Sequence, residues 1–550
     1  MTVPRDDELL FVPLGGSGEI GMNLNLYGHA GKWLMVDLGI TFADEDLPGI
    51  DVVMPDPSFI ETHRNDLVGL VLTHAHEDHL GAVQYLWPRL RCPVYATPFT
   101  AAVLRRKLAE YDLQDEVPLH IIPMDANFEL GPFRIQLVTL THSIPEPEAL
   151  IIRTDLGTVL HTGDWKLDPD PMVGPQADEA TLRALGDEGV LAMVCDSTNA
   201  LSPGHSGSEG SLRESLIELV KGLDRRVAIA CFASNIARLE TVHAVAQATG
   251  RHAALAGRSL WRMLEAAQET GYLDGLNFLS DAEAAYMPPE RVLIACTGSQ
   301  GEPRSALSRI ANDDHPHITL NAGDTVVFSS RIIPGNEKSI FALQNQLAGM
   351  NVDIVTEKDH FVHVSGHPNR DELTRMYQWV RPEISVPVHG ELRHMQAHAV
   401  LARDCQVPLA IEPYNGSIVR LAPGPAGIIG EVPAGRLALD GTKLVQVEGT
   451  AIRQRRQIGW NGSAVATLVV DAEGHLLRDP QLTVHGLSDS PEASGVEEAI
   501  LAVRLAVEGM RRRERKDDEA LRETARRAVR RSLRDSHGKR PPTDIHIVRV

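Results

Sequence analysis

The segment Thr73-His74-Ala75-His76-Glu77-Asp78-His79 packs four potential metal ligands into six residues, directly after an apolar run. Neutral imidazole and carboxylate together suit zinc or manganese. A tight loop can aim alternate side chains at one cation and the remainder at a second. Further ligands must come from elsewhere in the chain. His142 in LVTLTHSIPEP, Asp164 in VLHTGDWKLD and His389 in VPVHGE each stand at the end of an apolar run. Singly, each is as readily a capping or solvated residue; beside the cluster, they complete two coordination shells. Asp37, in MVDLGI, lies farther off in sequence and is expected to orient a ligand imidazole. His161 is read as structural. Two cations held this way would clamp an in-line phosphoryl displacement.

The elements that must carry these residues are short. LLFVPL (9–14), WLMVDLGI (33–40), LVGLVLT (67–73), RIQLVTL (134–140) and TVLHTGD (158–164) read as strands, and LGAVQYLW (80–87) as a short helix. Together they predict a layered α/β sandwich. Residues 207–360 change character. Helical periodicity in 211–223, 235–249 and 259–270 alternates with the strands VAIACF, VLIACT and TVVFSS, as in a smaller parallel-sheet domain. From 361 the chain again gives strand ends loaded with histidine, HFVHVSGH (360–367) and ISVPVHGE (384–391). The middle domain therefore reads as an insertion. The expected organisation is a first domain over 1–206, an inserted domain over 207–360, a return segment over 361–450, a linker over 451–463 and a small C-terminal α/β domain over 464–550.

Composition sets limits. Hydrophobic residues make up 43% of the 550 and charged residues 23%, the mix of a globular, multi-domain chain. The five cysteines form no CxxC pair, so a thiolate zinc site or disulfide framework is not expected and a reducing cytosol is. The N-terminus lacks a signal-type apolar core, and no run approaches the ~18 apolar residues of a membrane span, so a cytoplasmic protein with no membrane association is expected. A formal net charge of -21 argues against indiscriminate nucleic-acid binding but leaves room for a local basic channel. Residues 511–540 carry 13 Lys/Arg against 6 Asp/Glu, which solvated helix faces account for more simply than an RNA contact or an assembly face. Gly16 to Gly21 spell GxGxxG, but the alternating MNLNLYGH that follows is strand-like, where a dinucleotide fingerprint needs a helix.

In order, Asp37, His74-x-His76-x-Asp78-His79, His142 and Asp164 resemble the motifs of the metallo-β-lactamase superfamily. The likeness extends to its β-CASP branch of nucleic-acid hydrolases, whose three extra motifs Asp196 in VCDSTN, His367 in HVSGH and His389 in PVHGE resemble. Within that branch, LGGSGEIGMN, DLPGIDVVMPD, THAHEDHLGA, HTGDWKLD, TGSQGEP and PGNE are most similar to the bacterial ribonuclease J family. The resemblance implies an αββα sandwich with an inserted β-CASP domain and a small C-terminal domain. It implies one metal on His74, His76 and His142, a second on Asp78, His79 and His389, and Asp164 bridging them. Zinc is the implied metal, with manganese as an alternative. DNA-repair members tend to have valine at the last motif, so His389 favours RNA.

His367 is then expected to stabilise or protonate the leaving 3′-oxygen, with Asp196 holding its ring and Asp78 or Asp164 accepting the water proton. Ser234, Gly335, Asn336 and the stretch His363, Val364, Ser365, Gly366 and His367 resemble the family's pocket for RNA phosphates, although Ser234 is equally an N-cap for NIARLE. Gly49, Asp51 and Asp440 resemble a separate structural site for calcium or a similar ion. The implied activity is endonucleolytic and 5′→3′ exonucleolytic hydrolysis of single-stranded RNA, preferring a 5′-monophosphate, in mRNA decay and rRNA maturation. A homodimer or homotetramer and RNA-degradation partners are implied likewise. A DNA nuclease, a small ester or thioester hydrolase on the same scaffold, and a non-enzymatic RNA-binding scaffold remain the alternatives.

Overall fold

The computed structural model describes residues 4–43, 46–489 and 495–550. They fall into two compact units, Met1–Thr41 with Met54–Gly435, and Phe42–Val53 with Arg436–Val550.

In the first unit, the run Leu9–Gly15 is buried on both faces. It sits inside an eight-stranded sheet between Ser417–Ala422 and Leu24–His29. Beyond Leu24–His29 come Lys32–Val36, Leu67–Val71, Val94–Ala96 and Leu119–Ile121. A seven-stranded sheet begins with four antiparallel strands, Asn127–Leu130, Phe133–Thr139, Glu148–Thr154 and Gly157–His161. It continues in parallel through Ala192–Asp196, Ile384–Val388 and Leu409–Ala410. Inward-facing side chains of the two sheets, among them Phe11, Val36, Val71, Ile135, Leu150 and Val386, form one core. Helices Glu179–Glu188, Arg370–Val380 and Leu392–Asp404 contribute Leu185, Trp379 and Leu401 to a second core with Met193 and Ile151, on the far face of the seven-stranded sheet. This is the layered α/β sandwich expected from the alternating strands.

The inserted residues build a six-stranded, wholly parallel sheet in the order Leu279–Ser280, His252–Ala256, Val292–Cys296, Val227–Ala230, Thr325–Phe328, Asp353–Val355. Its first strand in sequence, Val227–Ala230, is central, and the chain builds out on both sides of it. Such a switch opens a crevice at the carboxyl ends of the strands. The chain then re-enters the sandwich as Ile384–Val388, which pairs in parallel with Ala192–Asp196, Asp196 opposite Val388. That pairing brings His389 beside Asp196, although 193 residues of chain separate them.

Three expectations change. HFVHVSGH is not strand: residues 361–369 are irregular. Side chains capture carbonyl groups that a sheet ladder would use. Ser215 Oγ donates to Phe361, Ser329 Oγ to Val362, His142 Nδ1 to Gly366 and Asn199 Nδ2 to His367. The linker 451–463 is instead helical over Thr450–Asn461, a run of arginines and glutamines with good helix propensity anchored by the buried Ile452. Residues 436–450, grouped with the return segment in the sequence, fall in the second unit.

In that second unit, strands Gln481–His485, Ser463–Val470 and Thr543–Arg549 form a sheet. Helices Val496–Glu508 and Asp518–His537 bury Val503, Leu521 and Val529 on Leu468 and Val470. Among the described residues, no helix is long and apolar enough to cross a membrane.

Candidate metal centre

Strand ends deliver the site. Lys32–Val36 ends at Asp37, where a left-handed backbone (φ 63°) turns the chain. The Asp37 carboxylate accepts the Thr73 backbone N–H at 2.8 Å and the Thr73 hydroxyl at 2.9 Å, which fixes the loop leaving Leu67–Val71. That loop lies directly on Gly39. A Cβ there would sit 1.7 Å from the Asp78 carbonyl oxygen, so only glycine admits the loop. His142 and Asp164 follow the strands Phe133–Thr139 and Gly157–His161, and His389 follows Ile384–Val388.

Donor atoms of His74, His76, His142 and Asp164 lie within 4.8 Å of one another, as do those of Asp78, His79, Asp164 and His389. Asp164 belongs to both groups. Its Oδ2 stands 3.2 Å from His79 Nε2, 3.5 Å from His389 Nε2 and 3.9 Å from His74 Nε2. A third cluster joins Asp164, Asp196, His367 and His389. There, however, Asp196 is already committed: Oδ2 holds His367 Nδ1 at 2.8 Å and Oδ1 accepts the Thr198 N–H at 2.8 Å.

The outer nitrogens of the rings are occupied in a way that bares the inner ones. His79 Nδ1 donates to Asp37 at 2.7 Å, and His142 Nδ1 to the Gly366 carbonyl at 2.5 Å. The Asn23 side-chain amide meets His389 Nδ1, its nitrogen at 2.9 Å and its oxygen at 3.1 Å. The bonds to Asp37 and Gly366 each leave a lone pair on Nε2 aimed inward, and the contact with Asn23 turns His389 Nε2 inward as well. His76 presents Nδ1 instead, 3.1 Å from His74 Nε2 and 3.0 Å from His142 Nε2. His389 Nε2 and Asp164 Oδ1 are buried with no hydrogen-bond partner. Converging buried acceptors of this kind are unfavourable unless a cation lies among them.

The protonation states of three rings agree. Burial and the neighbouring imidazoles hold His74 and His142 well below the usual histidine range, and burial holds His76 at about 4, so all three are neutral ligands. Burial also opposes charge on His79, but Asp164, Asp78 and Asp37 outweigh it and hold its pKa well above the usual value. The carboxylates thus call for positive charge where the second cation would sit. The donor set fits two divalent cations.

His367, held by Asp196, lies 3.8 Å from Asp164 and edge-on to the His142 ring. Ser234 is not the helix cap, since Asn235 accepts the Arg238 N–H and caps Ile236–Ala248. The adjoining turn of the inserted domain reaches the first domain, where the Ala237 N–H meets the Ser143 carbonyl at 3.5 Å, one residue past His142. Gly335 is exposed with φ 100°, and Asn336 precedes the helix Glu337–Gly349. In the HVSGH stretch Val364 is buried, His363 Nδ1 is buried without a partner, and Ser365 Oγ accepts the His367 N–H at 3.1 Å. A Cβ on Gly366 would press within 2.5 Å of the His142 ring. Gly49, Asp51 and Asp440 fall in the second unit, where the Asp440 carboxylate holds the Arg455 guanidinium at 2.5 Å. A cation at Asp440 would have to displace that guanidinium.

Sequence reasoning missed four residues. Asn23 and Thr73 steady the ligand rings. Asn199 donates to Ser365 Oγ at 2.7 Å and to the His367 carbonyl at 3.2 Å. Its own carbonyl accepts from Arg331 of the inserted domain at 3.0 Å. Asn23 and Asn199 lay within quoted motifs, GMN and CDSTN, but an amide has no spacing signature. Nothing in the sequence flags Arg331.

Four family models match the chain: "Metallo-beta-lactamase superfamily" over residues 22–230, "Ribonuclease J, beta-CASP domain" over 224–347, "Zn-dependent metallo-hydrolase RNA specificity domain" over 351–408 and "Ribonuclease J C-terminal domain" over 450–550. The chain is 46% identical to ribonuclease J of Sinorhizobium meliloti, covering 99% of this chain and 98% of that one. It is 36% identical to ribonuclease J of Mycobacterium tuberculosis H37Rv (97% and 96% covered) and 33% identical to that of Thermus thermophilus (97% and 94%). A crystal structure of a protein of unknown function from Enterococcus faecalis, 14% identical, superposes with a TM-score of 0.52 over 75% of this chain and 100% of that one, a likeness of fold.

Proposed function

The chain belongs to the ribonuclease J family and is a metal-dependent ribonuclease, and on that footing we propose that it cuts single-stranded RNA both internally and from a 5′-monophosphorylated end, using two zinc ions. The observation that carries the proposal is the placing of the HVSGH loop against His142, with His367 held beside Asp164.

His74, His76 and His142 would hold one cation, Asp78, His79 and His389 the other, with Asp164 between them. Manganese is the alternative occupant. Bound divalent cations acidify water and offset charge developing on a scissile phosphate. The chain's own residues do the rest. Asp37 and Asn23 fix which nitrogen of His79 and His389 faces inward. Asp196 orients the His367 ring, leaving Nε2 to stabilise the phosphate or give a proton to the departing 3′-oxygen. Asp78 or Asp164 takes the proton from the attacking water. Ser234, Gly335, Asn336 and the loop His363–His367 supply hydroxyl, backbone and imidazole donors suited to a terminal phosphate.

By the same reading the protein is cytoplasmic, forms a homodimer or homotetramer, works with RNA-degradation partners and acts in mRNA decay and rRNA maturation. The test is incubation with zinc or manganese and RNA labelled at a 5′-monophosphate or 5′-triphosphate, beside matched DNA and a small thioester. Labelled mononucleotide released only from monophosphorylated RNA is expected. Cleavage of DNA or the thioester in preference to RNA would overturn the reading.

A further inference from the structure

A second cavity, of about 110 Å³, opens in the inserted domain, away from the ligand cluster. It lies over the carboxyl ends of Val292–Cys296, Thr325–Phe328 and Asp353–Val355, where parallel sheets of this kind accept ligands. At roughly 10–15 Å³ for one water, the space exceeds what a single solvent molecule needs. Phe328, Ile332, Ile340 and Phe341 form apolar walls, and Phe341 is 48% exposed at the rim. Ser299 lines the cavity too. It is 1% exposed, yet its hydroxyl has no hydrogen-bond partner. An unpaired buried hydroxyl on a residue of the cavity wall calls for a polar partner.

The remaining lining sorts the ligand. Glu357 and Lys358 both line it, so a carboxylate that accepts amino N–H groups stands beside an ammonium suited to a flanking phosphate. Flat apolar walls, a buried hydroxyl and an acceptor fit the face and edge of a nucleobase. The cavity is also tied to the catalytic loop. Gln300 Nε2 donates to Ser330 Oγ on the cavity wall at 3.3 Å and to the Arg331 carbonyl at 2.8 Å. Its Oε1 accepts the Ile333 N–H at 2.9 Å and the Asn336 amide at 3.3 Å. Arg331 then reaches Asn199, which holds His367. One amide therefore sets the cavity wall, the Gly335–Asn336 turn and the arginine that touches the catalytic loop.

We propose that this cavity is a base subsite that takes one unstacked nucleobase of the RNA strand at a distance from the scissile phosphate. The proposal rests on the reading of the protein as an RNA-cleaving phosphodiesterase. A base stacked on an aromatic ring contributes about 1–3 kcal/mol, so removing the ring should weaken binding by about fivefold or more.

The test compares the metal-loaded full chain with Phe341→Ala and Ser299→Ala on RNA oligonucleotides and on bis(p-nitrophenyl) phosphate, which needs the metal centre alone. Expected is a rise of about fivefold or more in KM for RNA with Phe341→Ala. A smaller rise is expected with Ser299→Ala. In both variants kcat on RNA and hydrolysis of the small diester should be unchanged. An abasic scan of the oligonucleotide should find one position whose loss weakens the wild type but not Phe341→Ala. Unchanged KM in both variants, or weakened binding confined to free uridine or adenosine monophosphate, overturns the base subsite. Failure of the wild type to hydrolyse either substrate overturns the underlying phosphodiesterase reading instead.

Discussion

Asp37 shows how one buried side chain governs a site it does not enter. Its two oxygens accept the Thr73 N–H, the Thr73 hydroxyl and the His79 N–H, so it sets both the loop and the tautomer of a ligand. In Asp37→Asn, an amide N–H would face donors. Metal affinity should fall about 10–100-fold, read by competition with a chelator; unchanged affinity would remove Asp37 from this role. Glu148 is a different case. It is 1% exposed, and burial, partly offset by Thr139, pushes its pKa from 4.5 up to about 9. Between those values the folded chain keeps a proton that the unfolded chain has lost. Stability therefore drains away as pH rises through that window and is fully present only below it. Glu148→Gln cannot titrate, so its thermal midpoint should fall less than the wild type's between about pH 5 and pH 9. Parallel curves for the two proteins would show that Glu148 ionises normally.

At the scale of elements, the site depends on loops pressed closer than side chains allow. Gly39 admits the Asp78 backbone, and Gly366 admits the His142 ring. A methyl group at 366 must move either the loop or the ring. Gly366→Ala should therefore lose the cation held by His74, His76 and His142 before the other. Metal analysis after dialysis should give a stoichiometry falling from two towards one, with the thermal midpoint little changed. Full occupancy would mean the loop yields freely. The same stretch explains the misjudged strand. HFVHVSGH has strand-like alternation, but its carbonyl groups are taken by Ser215, Ser329, His142 and Asn199, from elements far apart in sequence.

At the scale of the molecule, the inserted domain is fastened where the chain crosses out and back. Glu372, fully buried, accepts the N–H groups of Leu167, Ser206 and Asn369 at 2.9–3.0 Å and the Ser206 hydroxyl at 2.7 Å. One carboxylate thus ties the sandwich to both crossings. Beside it, Lys166 pairs with Asp168 at 2.9 Å, and Asp168 accepts the Glu209 N–H at the start of the inserted helix Glu209–Lys221. Glu372→Gln sets an amide N–H against backbone donors and should cost about 3 kcal/mol of stability. Thermal unfolding and faster proteolysis near residues 206 and 369 would register it; wild-type resistance in both would contradict it. Besides burial, Arg238, Arg331 and Lys166 depress the pKa of His363, whereas at His367 the carboxylates of Asp196, Asp164 and Asp78 outweigh burial and raise it to about 9, so the HVSGH loop runs from basic to acidic surroundings.

The sequence alone determined the ligand chemistry, because a loop's metal-binding residues must be close neighbours and their spacing survives in one dimension. It also determined the layered α/β class and the inserted domain, since strand and helix periods are local properties. Only the tertiary structure decided which atoms face inward. The tautomers of His79 and His142 depend on Asp37 and Gly366, up to 224 residues from the rings they steer. It alone found Arg331 and Asn199, whose bond spans 132 residues and two domains. It also replaced the Ser234 cap by Asn235 and set Arg455 on Asp440. Amides and arginines carry no spacing signal, because their partners are chosen by the packing of sheets rather than by the order of the chain.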